Sequence, residues 1–86
     1  MFDPILDSHT VGKVLASYRK KKGLSQEVVS GLADVGRTHL SAIERGERKP
    51  TLETFFRITN ALNVPASTVM SDIEKSMYQN PNEKQK

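Results

Sequence analysis

The chain has 86 residues, a formal net charge of +3 and no cysteine. A chain of this length forms one small domain, and the lack of cysteine excludes a disulfide framework and a thiolate metal site. No apolar run approaches the roughly 20 residues that cross a bilayer, and nothing near the N-terminus resembles a signal peptide, so we expect a cytoplasmic protein without a membrane partner.

The positive charge is concentrated in the centre of the chain. Residues 8–66 carry +5, whereas residues 1–7 carry −2 and residues 67–86 are neutral. A basic centre favours a polyanionic partner such as nucleic acid. An ordinary solvated surface can have the same composition, so charge alone leaves both interpretations open.

The spacing of apolar residues predicts helices throughout and no strand. Three residues at i, i+4 and i+7 form the inner face of the first helix: Val11, Leu15 and Tyr18. Ser8 or Thr10 is expected to cap the start of this helix, and Gly23 is expected to end it after the basic residues 20–22.

The second and third helices are predicted to lie close together. The second begins after Ser25, a good N-cap residue, and its inner face is expected to comprise Val29, Leu32 and Ala33. Residues 34–36 break the pattern, and the third helix covers residues 37–45 with Leu40 and Ile43 facing inward. Two helices joined by so short a turn fit a helix-turn-helix.

Two further helices are predicted after this pair. Thr51 is expected to cap the fourth helix and Asn63 to end it, and the inner face is expected to comprise Leu52, Phe55, Ile58 and Leu62. Pro65 lies near the first turn of the fifth helix, where its missing N–H costs nothing. The inner face of the fifth helix is expected to comprise Val69, Ile73 and Met77.

The central sequence resembles the Xre/Cro/C1-type helix-turn-helix domain of phage repressors and small bacterial regulators. The resemblance covers about residues 11–70 and is carried by "LSQE" at 24–27, "IERG" at 43–46, Pro50 and "LETFFRITNALNV" after it. It implies an all-α, five-helix lambda-repressor-like fold. It also implies a bacterial or phage-encoded transcriptional regulator, acting as a repressor.

The expected organisation follows from this resemblance. Residues 1–7 form an N-terminal arm, residues 8–78 the DNA-binding domain with a C-terminal dimerisation helix, and residues 79–86 a flexible tail. The recognition helix at 37–45 is expected to enter the major groove of double-stranded DNA at a palindromic operator. No cofactor and no small-molecule effector are expected.

The recognition helix offers two groups of expected base contacts. Arg37 can bond to guanine O6 and N7 through two N–H groups, and Thr38 can bond to a base or touch a thymine methyl. Ser41 and Ala42 lie one turn further along, where Ala42 can make only apolar contact. The alternative for Arg37 is a phosphate contact that carries no sequence information.

Other residues are expected to contact the DNA backbone. Gln26 lies at the N-terminus of the second helix, where N–H groups and a partial positive charge suit a phosphate, and its side chain can also brace the recognition helix. His39 can bond to a phosphate or merely shield the helix. By resemblance, Arg45, Arg48 and Lys49 bind phosphates from the following loop.

Two residues are expected to be structural. Glu44 would repel phosphate unless it were neutralised, and by resemblance its partner is Arg19 in an ion pair between the first helix and the recognition helix. Three positions depart from the family pattern, each at the cost of some helix stability, namely Val28, Gly31 and Gly36. Asp34 in the turn also adds negative charge near the DNA.

A homodimer is expected because one short recognition helix reads too few base pairs to find a unique site in a genome. The expected interface is drawn from Phe56, Val69, Met70, Ile73 and Met77, of which the core needs some and the remainder is left for the partner. The alternative is that the four residues of the fifth helix all pack inward. The alternative function is a protein-interaction module of the same fold, such as an antitoxin, with DNA binding secondary. An enzyme is not expected, because there is no convergent His and carboxylate set, and no metal site is expected because His9 and His39 lack carboxylates at ligand spacing.

Overall fold

The part of the chain that the structure describes forms five α-helices, as the sequence predicts. A computed structural model describes residues 5–78, and no strand occurs among them. The helices are α1 (Ser8–Lys21), α2 (Gln26–Ala33), α3 (Arg37–Glu44), α4 (Leu52–Ala61) and α5 (Ala66–Tyr78). The expected tail at residues 79–86 and the first four residues of the expected arm lie outside the described residues.

The start of α1 differs from the sequence prediction. Asp7 is the N-cap, because its carboxylate accepts hydrogen bonds from the Thr10 backbone N–H at 3.0 Å and from the Thr10 hydroxyl at 2.6 Å. The expectation that Ser8 or Thr10 would cap the helix was wrong, since both residues lie within it. A carboxylate at this position also interacts favourably with the helix dipole.

The next helices begin at the expected caps. Ser25 accepts a hydrogen bond from the Val28 N–H at 3.1 Å, and Thr51 accepts one from the Thr54 N–H at 3.0 Å. Gly36 precedes α3 and supplies no side-chain cap. The start of α3 therefore lacks the side-chain hydrogen bond that Ser25 and Thr51 supply to α2 and α4.

A single apolar core joins all five helices. It comprises Val11, Leu15, Val29, Ala33, Leu40, Ile43, Phe55, Ile58, Leu62, Val69 and Ile73. The expectation that Leu32 and Leu52 face inward was wrong, because they are 66% and 80% exposed. The small Ser30 occupies the inward position on α2 instead of Leu32, and Thr59 completes the inner face of α4.

The packing of the core removes two residues, Val69 and Ile73, from the expected dimer interface. Val69 and Ile73 are completely buried within one chain, so their side chains cannot supply surface to a second copy. Their placement follows from the contacts of α5, which packs against both α1 and α4. Met70 and Met77 are only partly buried and Phe56 is exposed, so these three residues still reach the surface.

The packing of the helices leaves one face of α3 exposed to solvent. Helix α3 packs against α1 and α2, while α4 packs against α2 and α5. Between α2 and α3 the backbone turns at Asp34, which adopts a left-handed conformation with φ of 56°. The Val35 N–H then bonds to the Ser30 carbonyl at 3.0 Å, which closes the turn of the helix-turn-helix.

A side-chain hydrogen bond connects the first helix to the last one, α1 to α5. The Tyr18 hydroxyl on α1 donates a hydrogen bond to the Asp72 carboxylate on α5. This hydrogen bond raises the pKa of Tyr18, and desolvation of the partly buried phenol adds to the rise. The bond fixes the register of α1 against α5 across 54 residues of sequence.

Candidate nucleic-acid interface

The first turn of α3 presents three side chains to solvent. Arg37, Thr38 and His39 are all exposed, while Leu40 and Ile43 on the opposite side of the same helix are completely buried. The two buried residues anchor the helix in the core, so the exposed face has a fixed orientation. Arg37, Thr38 and His39 therefore project from a rigid element, as a base-reading or phosphate-binding surface requires.

The second turn of α3 is partly covered. Ser41 and Ala42 are half-buried, and the Ser41 hydroxyl accepts a hydrogen bond from Nη1 of Arg45 at 2.5 Å. Arg45 is the C-cap of α3 rather than its last helical residue. The expected contact residues of both turns thus lie along one stretch of α3, although Ser41 and Ala42 offer less surface than the first turn.

A network of four polar groups fixes α3 against the rest of the domain. Arg19 donates to both carboxylate oxygens of Glu44, from Nε at 2.8 Å and from Nη2 at 2.9 Å, and its Nη1 donates to the Leu24 carbonyl at 2.8 Å. Gln26 donates from Nε2 to Glu44 at 3.0 Å. The ion pair expected between Arg19 and Glu44 is therefore present, and Gln26 braces the recognition helix.

The Arg19–Glu44 pair is largely removed from solvent. Its side chains are 12% and 7% exposed. The hydrogen bond to Glu44 raises the pKa of Arg19, against the opposing effect of desolvation. Because Glu44 is neutralised and fully bonded, the only carboxylate within α3 does not present a free negative charge on the exposed face.

The loop after α3 holds three basic residues in two different states. Arg48 and Lys49 are exposed, and within residues 5–78 they form no hydrogen bond or ion pair. Arg45, by contrast, donates to both carboxylate oxygens of Glu47 at 2.9 Å. Sequence reasoning placed Arg45 at the interface but missed its pairing with Glu47.

Arg57, which the sequence analysis did not consider, lies near the turn between α2 and α3. Arg57 on α4 donates from Nη1 to the Asp34 carbonyl at 3.3 Å and from Nη2 to Glu53 at 3.1 Å. Its Nη1 lies 3.8 Å from the Asp34 carboxylate. Arg57 therefore places one positive charge, which it shares with Glu53, near the negative charge that the sequence puts in the turn, and only the fold reveals this contact.

An open apolar groove of about 720 Å³ lies between α4 and α5. We call it the α4–α5 groove, and its apolar lining comprises Leu52, Phe55, Phe56, Ala66 and Met70. Phe56 is 57% exposed and Leu52 is 80% exposed. The sequence identified Phe56 and Met70 as surface candidates, but it assigned Leu52 to the core and so missed it here.

Two other kinds of site are not seen in the described part of the chain. Across residues 5–78 no group of His, Asp or Glu side chains is placed to hold a metal ion. Within the same residues, no helix has the length and apolar character needed to cross a bilayer.

Comparison with known proteins agrees with this geometry. A helix-turn-helix family model matches residues 15–69. An uncharacterised HTH-type transcriptional regulator of Sinorhizobium fredii is 41% identical over 68 residues, which span 79% of this chain and 88% of that protein. The control protein C.MunI of a Mycoplasma species is 40% identical over 65 residues, spanning 74% of this chain and 88% of that protein.

Solved structures show the same architecture. The crystal structure of the restriction-modification controller protein C.AhdI from Aeromonas hydrophila superposes with a TM-score of 0.72 at 29% identity. The alignment covers 76% of this chain and 98% of the controller protein. Similarity thus extends over nearly the whole of a small regulator of comparable size.

Proposed function

Because this chain belongs to the Xre/Cro/C1-type helix-turn-helix family, we propose that it is a transcriptional regulator that binds a specific double-stranded DNA sequence through α3. One observation carries the proposal: Arg37, Thr38 and His39 are exposed on the first turn of a helix whose other side is locked in the core. In this fold the first turns of the second helix of the motif reach base edges in the major groove.

The proposed base contacts fall on the exposed turn and its neighbour. Arg37 is free to bond to guanine O6 and N7, the commonest specific contact in major grooves. Thr38 reads a base edge or a thymine methyl group, and Ala42 adds apolar contact one turn along. Ser41 takes part through its hydroxyl, whose oxygen already accepts a bond from Arg45.

The proposed phosphate contacts surround the recognition helix. Arg48 and Lys49 on the loop after α3 carry exposed charges with no partner among residues 5–78, which supports a role in binding the DNA backbone. His39, Arg45 and Gln26 complete the set, although Gln26 also holds Glu44. Such contacts supply affinity and register but carry no sequence information directly.

We further propose that the protein binds as a homodimer at a palindromic operator. The α4–α5 groove exposes Leu52 and Phe56 beside the partly buried Met70, and none of the three belongs to α3. Exposed apolar patches of this kind mark protein interaction sites, and two-fold dimers are the commonest assemblies. Two recognition helices would then read half-sites whose centres are about 34–36 Å apart.

The remaining parts of the proposal rest on the family alone. Repression rather than activation is inferred from resemblance to phage repressors, and the site of action is the cytoplasm. The regulator acts on DNA without a cofactor or a small-molecule effector. Relatives that are named transcriptional regulators or control proteins support a regulatory role rather than an enzymatic one.

Selection of random duplex DNA by the purified protein tests the proposed function. We expect enrichment of a palindromic sequence with two half-sites about one helical turn apart. Lack of enrichment for any sequence would contradict sequence-specific binding. It would favour the alternative, a protein-interaction module such as an antitoxin, for which the α4–α5 groove would be the docking surface.

A further inference from the structure

Arg45 reaches the proposed DNA surface with its guanidinium already occupied. Its Nε and Nη2 groups, which form one edge of the planar fork, donate to the two carboxylate oxygens of Glu47 at 2.9 Å. Its Nη1 donates to the Ser41 hydroxyl at 2.5 Å. Three of the five N–H groups of the guanidinium are therefore used. The edge that is paired with Glu47 can bind either a carboxylate or a phosphate through two parallel hydrogen bonds.

The neighbouring basic residues provide a contrast within the same loop. Arg48 and Lys49 are exposed and unpaired within residues 5–78, whereas the charge of Arg45 is balanced two residues away. The hydrogen bonds and charge of Arg45 also lower the pKa of Glu47. Glu47 therefore stays ionised at neutral pH and remains a competitor for any anion that approaches Arg45.

We propose that Glu47 is an internal competitor for the DNA phosphate that Arg45 would bind, and that it lowers the affinity of the protein for duplex DNA. A phosphodiester that docks on the Nε–Nη2 edge must displace the carboxylate, because both ligands need the same two N–H groups. The displaced carboxylate then lies beside the DNA backbone and repels it. This inference rests on the proposed function, since it requires that the chain binds duplex DNA.

The strength of an exposed ion pair sets the expected change in DNA affinity. Exposed ion pairs are weak, because solvent screens them and two flexible side chains must be ordered. Releasing Arg45 should therefore raise affinity by about 2- to 5-fold, the range expected for one exposed pair. The effect should appear on random and specific duplexes alike, since a phosphate contact does not read sequence.

A double-mutant cycle tests the proposal. Affinity for a random-sequence duplex is measured by fluorescence anisotropy at fixed salt for wild type, Glu47→Gln, Arg45→Ala and the double variant. Glutamine keeps the length and the hydrogen-bonding oxygen of the side chain while removing its charge. We expect Glu47→Gln to bind about 2- to 5-fold more tightly than wild type. We expect this gain to be clearly smaller in the Arg45→Ala background, where there is no N–H edge to release and only the repulsion between Glu47 and the DNA is removed.

The control separates competition from a general loss of negative charge. Glu74→Gln removes an exposed carboxylate from α5, which packs against α1 and α4, and should change affinity less than Glu47→Gln. An equal gain from Glu47→Gln with and without Arg45, or no gain at all, would overturn the proposal while leaving the proposed function intact. A wild-type protein that binds no duplex would instead overturn the proposed function, and with it this inference.

Discussion

Gly12 lies directly against the carbonyl oxygen of Ile43 at the end of the recognition helix. A Cβ atom at position 12 would lie 2.3 Å from that oxygen and 2.6 Å from the Glu44 carbonyl oxygen. Both oxygens belong to the backbone, so neither can rotate away as a flexible side chain could. The absence of a side chain at Gly12 therefore sets how closely α1 approaches α3.

We predict that Gly12→Ala destabilises the protein, because α1 and α3 must move apart to admit a methyl group. Overpacking of a tight contact typically costs about 1–3 kcal/mol. Gly31→Ala is the matched control, since a Cβ atom at position 31 would meet nothing within 4 Å beyond its chain neighbours and the adjacent backbone of its own helix. Alanine there should stabilise α2 by roughly 1 kcal/mol. Urea denaturation of both variants checks the prediction, and equal shifts in the same direction would contradict it.

Removal of Glu44 should be among the more damaging single changes in the domain. Glu44→Ala leaves the nearly buried Arg19 guanidinium without its carboxylate partner, and breaking a buried pair costs about 3 kcal/mol. Glu53→Ala breaks the exposed pair with Arg57 and should cost under about 1 kcal/mol. Chemical denaturation distinguishes the two outcomes, and a Glu44→Ala variant as stable as Glu53→Ala would show that the pair has no structural role.

The Tyr18–Asp72 hydrogen bond predicts a pH-dependent contribution to stability. Tyr18→Phe removes the bond and should cost about 1 kcal/mol at neutral pH. Because the pKa of Tyr18 is raised in the folded state, the contribution is complete below the ordinary tyrosine pKa of about 10. It is lost as the pH rises through the raised value.

Unfolding free energies of wild type and Tyr18→Phe, measured from pH 7 to pH 11, test this prediction. The difference between the two proteins should be constant up to about pH 10 and decline above it. Comparing two proteins at each pH cancels the titration of the lysines, which both share. A difference that grows with pH would contradict the assigned direction.

The α4–α5 groove predicts which substitution separates a dimer. Phe56→Asp places a charge on an exposed apolar side chain, so it should preserve the helical circular-dichroism spectrum while weakening self-association by about tenfold or more. Leu32→Asp is the control, because Leu32 is similarly exposed but lies on α2. In sedimentation, Phe56→Asp should be monomeric, whereas wild type and Leu32→Asp should be dimeric. A wild-type protein that is monomeric on its selected operator would rule out the dimer.

Much of the fold could be predicted from local signals in the sequence. Ser25 and Thr51 begin helices as expected because their side chains accept hydrogen bonds from backbone N–H groups three residues later. The cap of α1 was ambiguous, since "DSHT" offers three residues that can act as caps. The inward face of the eight-residue α2 was also poorly defined, because two turns provide few positions from which to judge periodicity.

The polar contacts at the site were harder to predict. Residues two apart do not face each other on a helix, so the pairing of Arg45 with Glu47 has no helical signal. It forms because α3 ends at Glu44, with Arg45 as its C-cap, and the chain reverses at Gly46, where φ is 81°. The contact of Arg57 with Asp34 joins residues 23 apart, and only the packing of α4 against α2 brings them together.

The central claim, that Arg37 reads a base from the recognition helix of a symmetric dimer, is tested most directly by repeating the duplex selection with Arg37→Ala. We expect the consensus to lose its preference at one base pair in each half-site, with specific affinity reduced by about 1–3 kcal/mol. Lys49→Ala is the matched control and should keep the wild-type consensus while weakening binding to all sequences. An unchanged consensus for Arg37→Ala, with affinity lost equally on specific and random DNA, would contradict the claim.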